Sequence, residues 1–220
     1  MKLWHRFIHP ITSYFRQKRG QFLFKQFPEM RSYKICDLGG SRHFWEKLNL
    51  DIPAGHITVF NISDAETSAI AGGAENDIHV VLYDGKHLPV KEGTFDLLVC
   101  NSVMEHVPPT QRAALVSEMR RVAKHIFCQT PAYEFFIEPH FIVPFIHWLP
   151  RWLGFQISKI SPWRLLSRSS AATLHSYWWN TKLLSEREIR ALFPYAEILK
   201  ERTMGLTKSY YVIEQQKDGT

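Results

Sequence analysis

Polar and glycine residues follow four apolar segments in the first half of the chain, and these residue types suit the binding of a hydroxyl-rich ligand. The apolar segments have the length and composition of buried strands. In an open parallel sheet, ligands bind beyond the carboxyl ends of the strands, where glycines allow close backbone approach and carboxylates or amides bond hydroxyl groups. The candidate ligand-binding residues at these ends are Asp37, Gly39, Gly40, Asn61, Ile62, Asp84, Gly85, Asn101 and Ser102.

The residues at the second and third strand ends match the parts of an adenosine. Asn61 could bond both ribose hydroxyls, and Asp84 could accept a hydrogen bond from the adenine amino group. Ile62 and Leu88 could sandwich the flat base. Turn formation explains Asp84-Gly85 equally well, because this dipeptide is favoured in turns.

A second group of residues could act on a substrate. His140 is the best candidate for a general base, because an unperturbed histidine titrates near neutral pH, and Glu138 could orient its ring. A structural role, in which both residues only anchor the local chain, is favoured over this one. His106 could contact the cofactor or substrate, or simply begin the next helix.

Strands alternate with helices along the chain, which indicates a mostly parallel sheet with helices on both faces. Only a few residues around Gly205 join the last two strands, which is too short for a parallel crossover, so the last strand should run antiparallel. A capping box at Ser185 opens a helix that ends near Phe193. The sequence thus predicts an α/β, Rossmann-like fold with a seven-stranded sheet. The predicted strands lie at 33–40 (with the glycine turn), 57–62, 78–83, 95–100, 125–129, 197–200 and 209–214, and the other helices at 42–49 and 108–123.

The excess positive charge lies in the first 28 residues. The net charge is +6, and residues 1–28 contain six lysines and arginines and no acidic residue, so the remainder is neutral. Apolar residues at 3–18 recur with helical spacing, interrupted by Pro10, which predicts a helix that packs on the domain. The alternative is a helix on an anionic membrane surface. We divide the chain into a basic amphipathic arm at 1–28 and a domain at 29–220, with an aromatic-rich insertion at about 131–183.

The three cysteines, Cys36, Cys100 and Cys128, each fall inside a predicted strand and form no CxxC pair. This pattern favours buried, reduced thiols, and no metal site is expected. No apolar run reaches the roughly 18–20 residues of a membrane helix, and the basic start lacks the pattern of a secretory signal. We expect a cytoplasmic protein.

Three sequence blocks resemble the class I S-adenosylmethionine-dependent methyltransferases, specifically the methyltransferase type 11 group. The blocks are 35–40, 84–89 and 95–107, and the resemblance covers roughly residues 33–130 well. In that group an acid-Gly pair, Leu-Pro, Phe-Asp and Glu-His follow one another at similar spacing, and the last strand is antiparallel. The resemblance implies a class I methyltransferase fold, S-adenosyl-L-methionine as cofactor and the strand-end residues as its binding site.

Two positions depart from the pattern of that group. The chain continues with Ser41 where a third glycine is usual, and Asn61 ends a strand that usually ends in an acid. We expect an enzyme that methylates a small-molecule or lipid- or glycan-linked acceptor, with oxygen as the expected target atom. The alternative is a degenerate domain that binds a partner or a membrane without catalysis.

The aromatic-rich insertion bears on the acceptor. Its aromatic residues alternate with arginines and lysines, which suits a lid over an apolar or lipid-linked acceptor or peripheral contact with a membrane. Nucleic acid is the least favoured partner, although arginines and aromatic rings can stack on bases. Residues 101–104 lack the Asn/Asp-Pro-Pro-Tyr signature of methyltransferases that act on base amino groups.

Overall fold

The computed structural model describes residues 17–41, 44–45, 48, 52–53, 55–62 and 78–215. Seven strands form one sheet in the order β3-β2-β1-β4-β5-β9-β8, and β6 and β7 pair separately as a short hairpin. The predicted seven-stranded fold is therefore confirmed. The strands are β1 Ile35–Leu38, β2 Ile57–Asn61, β3 His79–Leu82, β4 Phe95–Asn101, β5 Ala123–Pro131, β6 Ile137–Glu138, β7 Val143–Pro144, β8 Glu197–Thr203 and β9 Leu206–Gln215.

Strands β1 to β5 are parallel, and β9 runs antiparallel to both β5 and β8. Met204 and Gly205 form the tight turn between β8 and β9, and both have positive φ angles. This two-residue connection leaves room only for an antiparallel pair, as the sequence predicts. Both strands extend further than predicted, because their additional residues pair near the turn.

The helices predicted at 108–123 and from Ser185 to Phe193 begin and end close to the predicted limits. Pro109 occupies the first turn of α1, where its missing N–H costs no hydrogen bond. The Ser185 hydroxyl accepts a hydrogen bond from the Glu188 N–H and caps α5. The labelled helices are α1 Pro109–Val122, α2 Arg151–Ser158, α3 Pro162–Ser167, α4 Ala171–Asn180 and α5 Glu186–Leu192.

Two apolar clusters cover the two faces of the sheet. Successive residues of β1 point to opposite faces, so Ile35 joins one cluster and Cys36 the other. The helix α1 packs on the Cys36 face through Leu115 and Met119. The helix at residues 17–26, here named the N-terminal helix, packs on the Ile35 face through the buried Leu23.

This packing does not decide between the two interpretations of the basic arm, because they concern the helix predicted at 3–18. Residues 1–16, which include most of its predicted helix, lie outside the described residues. Among the described residues, no helix has the length and apolar character needed to cross a bilayer. The three cysteines are buried and unpaired, as predicted.

The insertion folds around an apolar cluster of its own. Phe141, Ile146, Leu174 and Trp178 are its buried members. Gly154 in α2 allows this packing, because a Cβ there would lie 2.5 Å from the Trp178 ring. The sequence shows no clear period between 131 and 182, yet the structure has the three helices α2, α3 and α4 in this region. The helices have ten residues or fewer, and these spans are too short for a clear periodicity.

Arg112 of α1 ties the insertion to the sheet. Its guanidinium is buried and donates hydrogen bonds to the carbonyl oxygens of Val107 (3.0 Å) and Lys182 (2.6 Å). A third bond, of 2.6 Å, goes to Glu188 Oε1 in α5. One side chain thus fixes the segment after β4, the end of the insertion and the start of α5.

A buried acid lies in the centre of the sheet. Asp37 of β1 is 1% exposed, and its Oδ2 accepts a 2.6 Å hydrogen bond from the Trp45 indole. Burial raises the pKa of Asp37 from 3.8 to about 7, and the bond from Trp45 offsets part of this effect. The protonated form therefore predominates in the folded protein below neutral pH.

We predict that Arg112→Met lowers the free energy of unfolding by about 3 kcal/mol, because two carbonyl oxygens and Glu188 lose a buried charged donor. Urea unfolding monitored by tryptophan fluorescence measures this change. Arg190→Ala is the control, since its i,i+4 pair with Glu186 is exposed and should contribute less than about 0.5 kcal/mol. Equal losses in the two variants would contradict the role given to Arg112.

We also predict that Asp37 makes stability fall as the pH rises from 4 to 7. In that interval the unfolded chain has lost the Asp37 proton while the folded chain retains it, so folding becomes less favourable as the pH increases. Asp37→Asn removes this contribution, which amounts to at most about 4 kcal/mol. Urea unfolding at pH 4.5 and 7.5 tests it: parallel pH profiles of the two proteins would refute the buried neutral acid.

Candidate active site

The turn after β1 is shaped by Asp37. The Gly39 N–H donates to the Phe60 carbonyl at 2.8 Å, and Gly39 has a φ of +68°, which favours glycine. A Cβ on Gly40 would lie only 1.7 Å from Asp37 Oδ2. Gly40 is therefore required by the carboxyl group beneath the turn. Asp37 acts here as a support of the turn, because it is almost completely buried.

The end of β2 is joined to this turn. Asn61 is 2% exposed, and its side-chain amide donates to the Gly40 carbonyl at 3.3 Å. The next residue, Ile62, is 67% exposed and offers an open apolar surface. A Cβ on Gly85 would lie 3.4 Å from Ile62, so the ends of β2 and β3 adjoin there. Ser63 and Asp64, which follow β2 and could cap a helix, lie outside the described residues.

Asp84 forms the turn after β3. Its Oδ1 accepts hydrogen bonds from the N–H groups of Lys86 (2.8 Å) and His87 (2.7 Å). The pKa of Asp84 is lowered because these backbone groups stabilise its charged form. The turn interpretation of this residue is thus correct, and the exposed carboxylate still faces solvent. The expectation for Leu88 is wrong: it is fully buried in the core and cannot sandwich a base.

The end of β4 is covered by the N-terminal helix. Arg19 of that helix donates to Asn101 Oδ1 (3.0 Å) and to Gln129 Oε1 (2.8 Å), and the Ser102 hydroxyl also donates to Gln129 (3.0 Å). Ser102 has a φ of +57°, an uncommon conformation for a residue other than glycine. Neither Arg19 nor Gln129 was among the predicted site residues. Arg19 was considered only as part of the overall charge of the arm.

These strand ends have the chemistry of an adenosyl-binding site. A glycine turn, a buried amide, an exposed aliphatic side chain and an exposed carboxylate follow one another along the carboxyl edge of β1, β2 and β3. Amide and carboxylate groups suit ribose hydroxyls and an adenine amino group, and the exposed Ile62 suits the face of the base. The described residues therefore fit an adenosyl cofactor, and the binding role of each residue remains a prediction.

Four titratable residues meet beside the end of β4, and we call Glu105, His106, Glu138 and His140 the Glu/His cluster. Glu105 and His106 belong to the 3-10 turn Met104–His106, and the other two lie in the insertion. His140 Nδ1 lies 2.7 Å from Glu138 Oε1, and His140 Nε2 lies 3.9 Å from Glu105 Oε1. The centres of the two imidazole rings are 5.0 Å apart.

The structure thus brings together the three predicted substrate-acting residues His106, Glu138 and His140. Glu138 orients His140 through a hydrogen bond, as the sequence analysis supposed, and its other oxygen accepts from the Phe141 N–H at 2.7 Å. Glu105 is a fourth member that the sequence analysis did not select. The Glu105-His106 dipeptide was noted, but only the histidine was considered for chemistry.

The surroundings of Glu105, His106 and His140 shift the pKa values of these three groups. Burial raises the pKa of Glu105. Burial and the neighbouring His140 lower the pKa of His106 to about 4. Burial also opposes the charged form of His140, but attraction to Glu138 and Glu105 outweighs it, and the pKa of His140 is raised. Such strongly perturbed and adjacent groups are typical of functional sites.

A cavity of about 200 Å³ opens next to the cluster. Glu138 and Thr181 contribute to its wall, so the cavity connects the cluster with the insertion. Its other lining residues are mostly aromatic or basic: Tyr133, Phe141, His147, Arg151, Trp178, Lys182 and Leu183. A second cavity, of about 340 Å³, lies at the amino ends of β1, β2 and β4, away from these groups.

Comparisons with known proteins agree with this arrangement. Residues 38–125 match the family model of a methyltransferase domain. A search of proteins with curated functions gave no match. Among solved structures, the chain is similar to the PH0226 protein from Pyrococcus horikoshii OT3, with 17% identity, a TM-score of 0.59, and 90% of this chain and 87% of that chain covered.

Two further structures with this fold have an assigned methyl-transfer activity. One is magnesium protoporphyrin IX methyltransferase from Synechocystis PCC 6803 with bound S-adenosylmethionine, at 13% identity, a TM-score of 0.54, and 98% and 85% of the two chains covered. The other is an S-adenosylmethionine-dependent methyltransferase from Archaeoglobus fulgidus, at 12% identity, a TM-score of 0.54, and 90% and 93% covered.

The structural likeness shows the fold, and the match at residues 38–125 extends from the glycine turn after β1 into β5. This stretch contains the strand ends that fit an adenosyl cofactor. The domain around this stretch has the Rossmann-like class I fold of these solved methyltransferases.

Proposed function

We propose that this chain is an S-adenosylmethionine-dependent methyltransferase that methylates a hydroxyl group of a small-molecule acceptor or of a lipid- or glycan-linked acceptor. The observation that carries the proposal is the Glu/His cluster, which adjoins the end of β4 and opens to the cavity within the insertion. A hydroxyl oxygen must lose its proton when it is methylated, so groups that manage a proton belong beside the acceptor.

The methyl group of S-adenosylmethionine is already activated by its sulfonium, so the protein has mainly to align the acceptor and hold its proton. The glycine turn, Asn61 and Asp84 would hold the cofactor along the strand ends. Arg19 would fix the N-terminal helix over Asn101 and so close the end of β4. These assignments follow from the positions of the side chains and from the chemistry of each group.

On the acceptor side, His140 would be the group closest to the leaving proton, with Glu138 holding its ring in position. His140 is 11% exposed as a side chain, so a proton passed to the cluster is shielded from bulk water. The half-buried His106 lies on the same side as the Tyr177 ring, which stacks on it at 5.8 Å between ring centres. The cluster is therefore enclosed by the insertion.

The surface of the insertion supports an amphiphilic acceptor and peripheral contact with a membrane. Phe145, Trp148 and Trp152 are 44–66% exposed, and Arg151 lies over the ring of Trp179, which is 40% exposed. Aromatic side chains with adjacent arginines are enriched at the interfacial region of membranes. A lipid-linked acceptor could thus reach the cavity from a bilayer surface while the cofactor half of the domain remains in water.

We predict that Asp84→Ala weakens binding of S-adenosylmethionine and S-adenosylhomocysteine by at least about tenfold, as expected for the loss of a charged hydrogen bond. Calorimetric titration measures this. Asp84→Asn retains an acceptor for the turn, so a similar loss in that variant assigns the effect to the carboxylate. Asp96→Ala is the matched control at the other end of the sheet, where it bonds Lys124. Unchanged affinity in both Asp84 variants would remove Asp84 from the site.

We predict that His140→Gln and Glu138→Gln each reduce methyl transfer by about 100-fold, within the range for loss of proton management. The assay follows labelled methyl groups from the cofactor into cell extracts, separated into lipid, aqueous small-molecule, protein and nucleic-acid fractions. His175→Gln is the control, because His175 is an exposed residue of the same insertion. Label in the lipid or the small-molecule fraction identifies the acceptor class, whereas label found only in protein or nucleic acid would contradict the proposal.

A further inference from the structure

Three atoms with lone pairs face one another at the centre of the Glu/His cluster. One nitrogen of His106, one nitrogen of His140 and one carboxylate oxygen of Glu105 all lie within 4.8 Å of each other. Atoms of this kind repel one another unless a proton or a cation lies between them. The hydrogen bonds around the cluster decide which atoms these are and whether a proton is available.

The proton of His140 is directed away from the centre. Nδ1 of His140 lies 2.7 Å from Glu138 Oε1, and a carboxylate oxygen can only accept, so Nδ1 carries the hydrogen. In the neutral ring, Nε2 then has a lone pair, and this nitrogen is the one that faces Glu105 at 3.9 Å. A histidine that ligates a metal commonly donates its second N–H to a carboxylate in this way.

The proton of His106 is fixed in the same manner by Thr181. The Thr181 hydroxyl donates its only hydrogen to the Tyr177 carbonyl at 2.7 Å. It must therefore accept from His106 Nδ1, which lies 3.3 Å away. Nε2 of His106 is then the nitrogen with the free lone pair. In its neutral form, each imidazole thus has the tautomer that leaves Nε2 open for a ligand, and a metal ion would bind in place of the Nε2 proton.

Glu105 completes the set with an oxygen that lacks a hydrogen-bond partner. Glu105 is fully buried, and its Oε2 accepts from the Thr130 hydroxyl at 3.0 Å. Its Oε1 is buried and has no hydrogen-bond partner among the residues that the structure describes. An unsatisfied buried carboxylate oxygen is costly, and a metal cation bound between it and the two histidines would offset this cost.

We propose that Glu105, His106 and His140 bind a divalent transition-metal ion of the zinc type. The ligands would be Glu105 Oε1 and the two Nε2 atoms. Hydrogen bonds with Glu138 and Thr130 would orient His140 and Glu105, respectively. This revises the sequence-based expectation of no metal site, which considered mainly cysteines. The spacing was not recognisable, because His140 follows Glu105 at a distance of 35 residues.

Binding of a metal requires the three ligand atoms, which lie within 4.8 Å of one another, to move closer together. Two ligands bound at about 2.1 Å from a tetrahedral metal lie roughly 3.4 Å apart, and Glu105 Oε1 and His140 Nε2 are 3.9 Å apart here. Two imidazoles with one carboxylate suit zinc, iron or nickel, whereas magnesium and calcium prefer oxygen ligands alone. Three protein ligands leave at least one coordination position for an oxygen of water or of an acceptor.

This inference refines the proposed function: His140 would serve as a metal ligand when the ion is bound, and the ion rather than the free imidazole would lower the pKa of a hydroxyl at the open position. It rests on that function only for the role of the ion. The metal site itself is argued from the ligand atoms alone, and it can be tested without an acceptor.

The test is calorimetric titration of the chelator-treated, full-length protein with Zn²⁺, and with Mg²⁺ in parallel. We expect one Zn²⁺ per chain and a much weaker response to Mg²⁺. Glu105→Gln and His140→Gln should each raise the Kd for Zn²⁺ at least about 100-fold, and Glu138→Gln about 10- to 100-fold. His175→Gln, in the same insertion, should leave the Kd unchanged. Absence of Zn²⁺ binding, or equal affinity in the ligand variants, would overturn the site.

A second measurement avoids variants that fail to fold. The zinc-edge X-ray absorption spectrum of the wild-type protein should show two imidazole ligands with oxygen as the remaining ligand type. A spectrum with sulfur ligands, or with no imidazole, would overturn the assignment. Titration of each variant with S-adenosylhomocysteine separates the two proposals, since loss of the metal site should leave the Kd for this ligand within about twofold of the wild type.

Discussion

The guanidinium of Arg112 fixes the distance between the segment that carries His106 and the end of the insertion. Two of its three hydrogen bonds hold Val107, next to His106, and Lys182, next to Thr181. His106 and Thr181 contact each other directly, so the position of the first imidazole depends on this buried cation. A charged group takes this place because only a guanidinium can donate in several fixed directions at once.

The end of β4 is the point where the two ligand sides meet. Asn101 and Ser102 lie between the glycine turn of β1 and the 3-10 turn that carries Glu105. Ser102 has a left-handed backbone, which turns the chain out of the strand and towards the insertion. The central position of β4 in the sheet follows from the strand order, in which the sequence direction reverses between β1 and β4. In the proposed function, cofactor and acceptor therefore meet at this edge.

Local sequence determined the sheet well and the catalytic cluster only in part. Strands such as β4 and the helix α1 were predictable, because a continuous apolar run or a helical stripe is a local signal. His140 and Glu138 were found because a histidine beside a carboxylate suggests chemistry, and Glu105 was not, since its partners come from distant parts of the chain. Arg19 gave no signal at all: in the sequence it is one of several basic residues in the arm.

The helices of the insertion were not predicted from the sequence, for a different physical reason. Their length of six to ten residues allows only two or three apolar contacts on one face, and Trp178 and Phe141 meet through tertiary packing. The same limit applied to Leu88, whose burial depends on α1 and could not be read from its neighbours.

The separate apolar cluster of the insertion has an evolutionary consequence. Phe141, Ile146, Leu174 and Trp178 share no buried member with the two clusters that flank the sheet. Substitutions at sites without common neighbours have nearly additive effects on the free energy of unfolding. Changes inside this part of the fold should therefore have little effect on how substitutions in the sheet alter stability. Selection can therefore reshape the cavity of the insertion while the sheet is preserved, which makes the insertion the natural place for divergence among proteins with this fold.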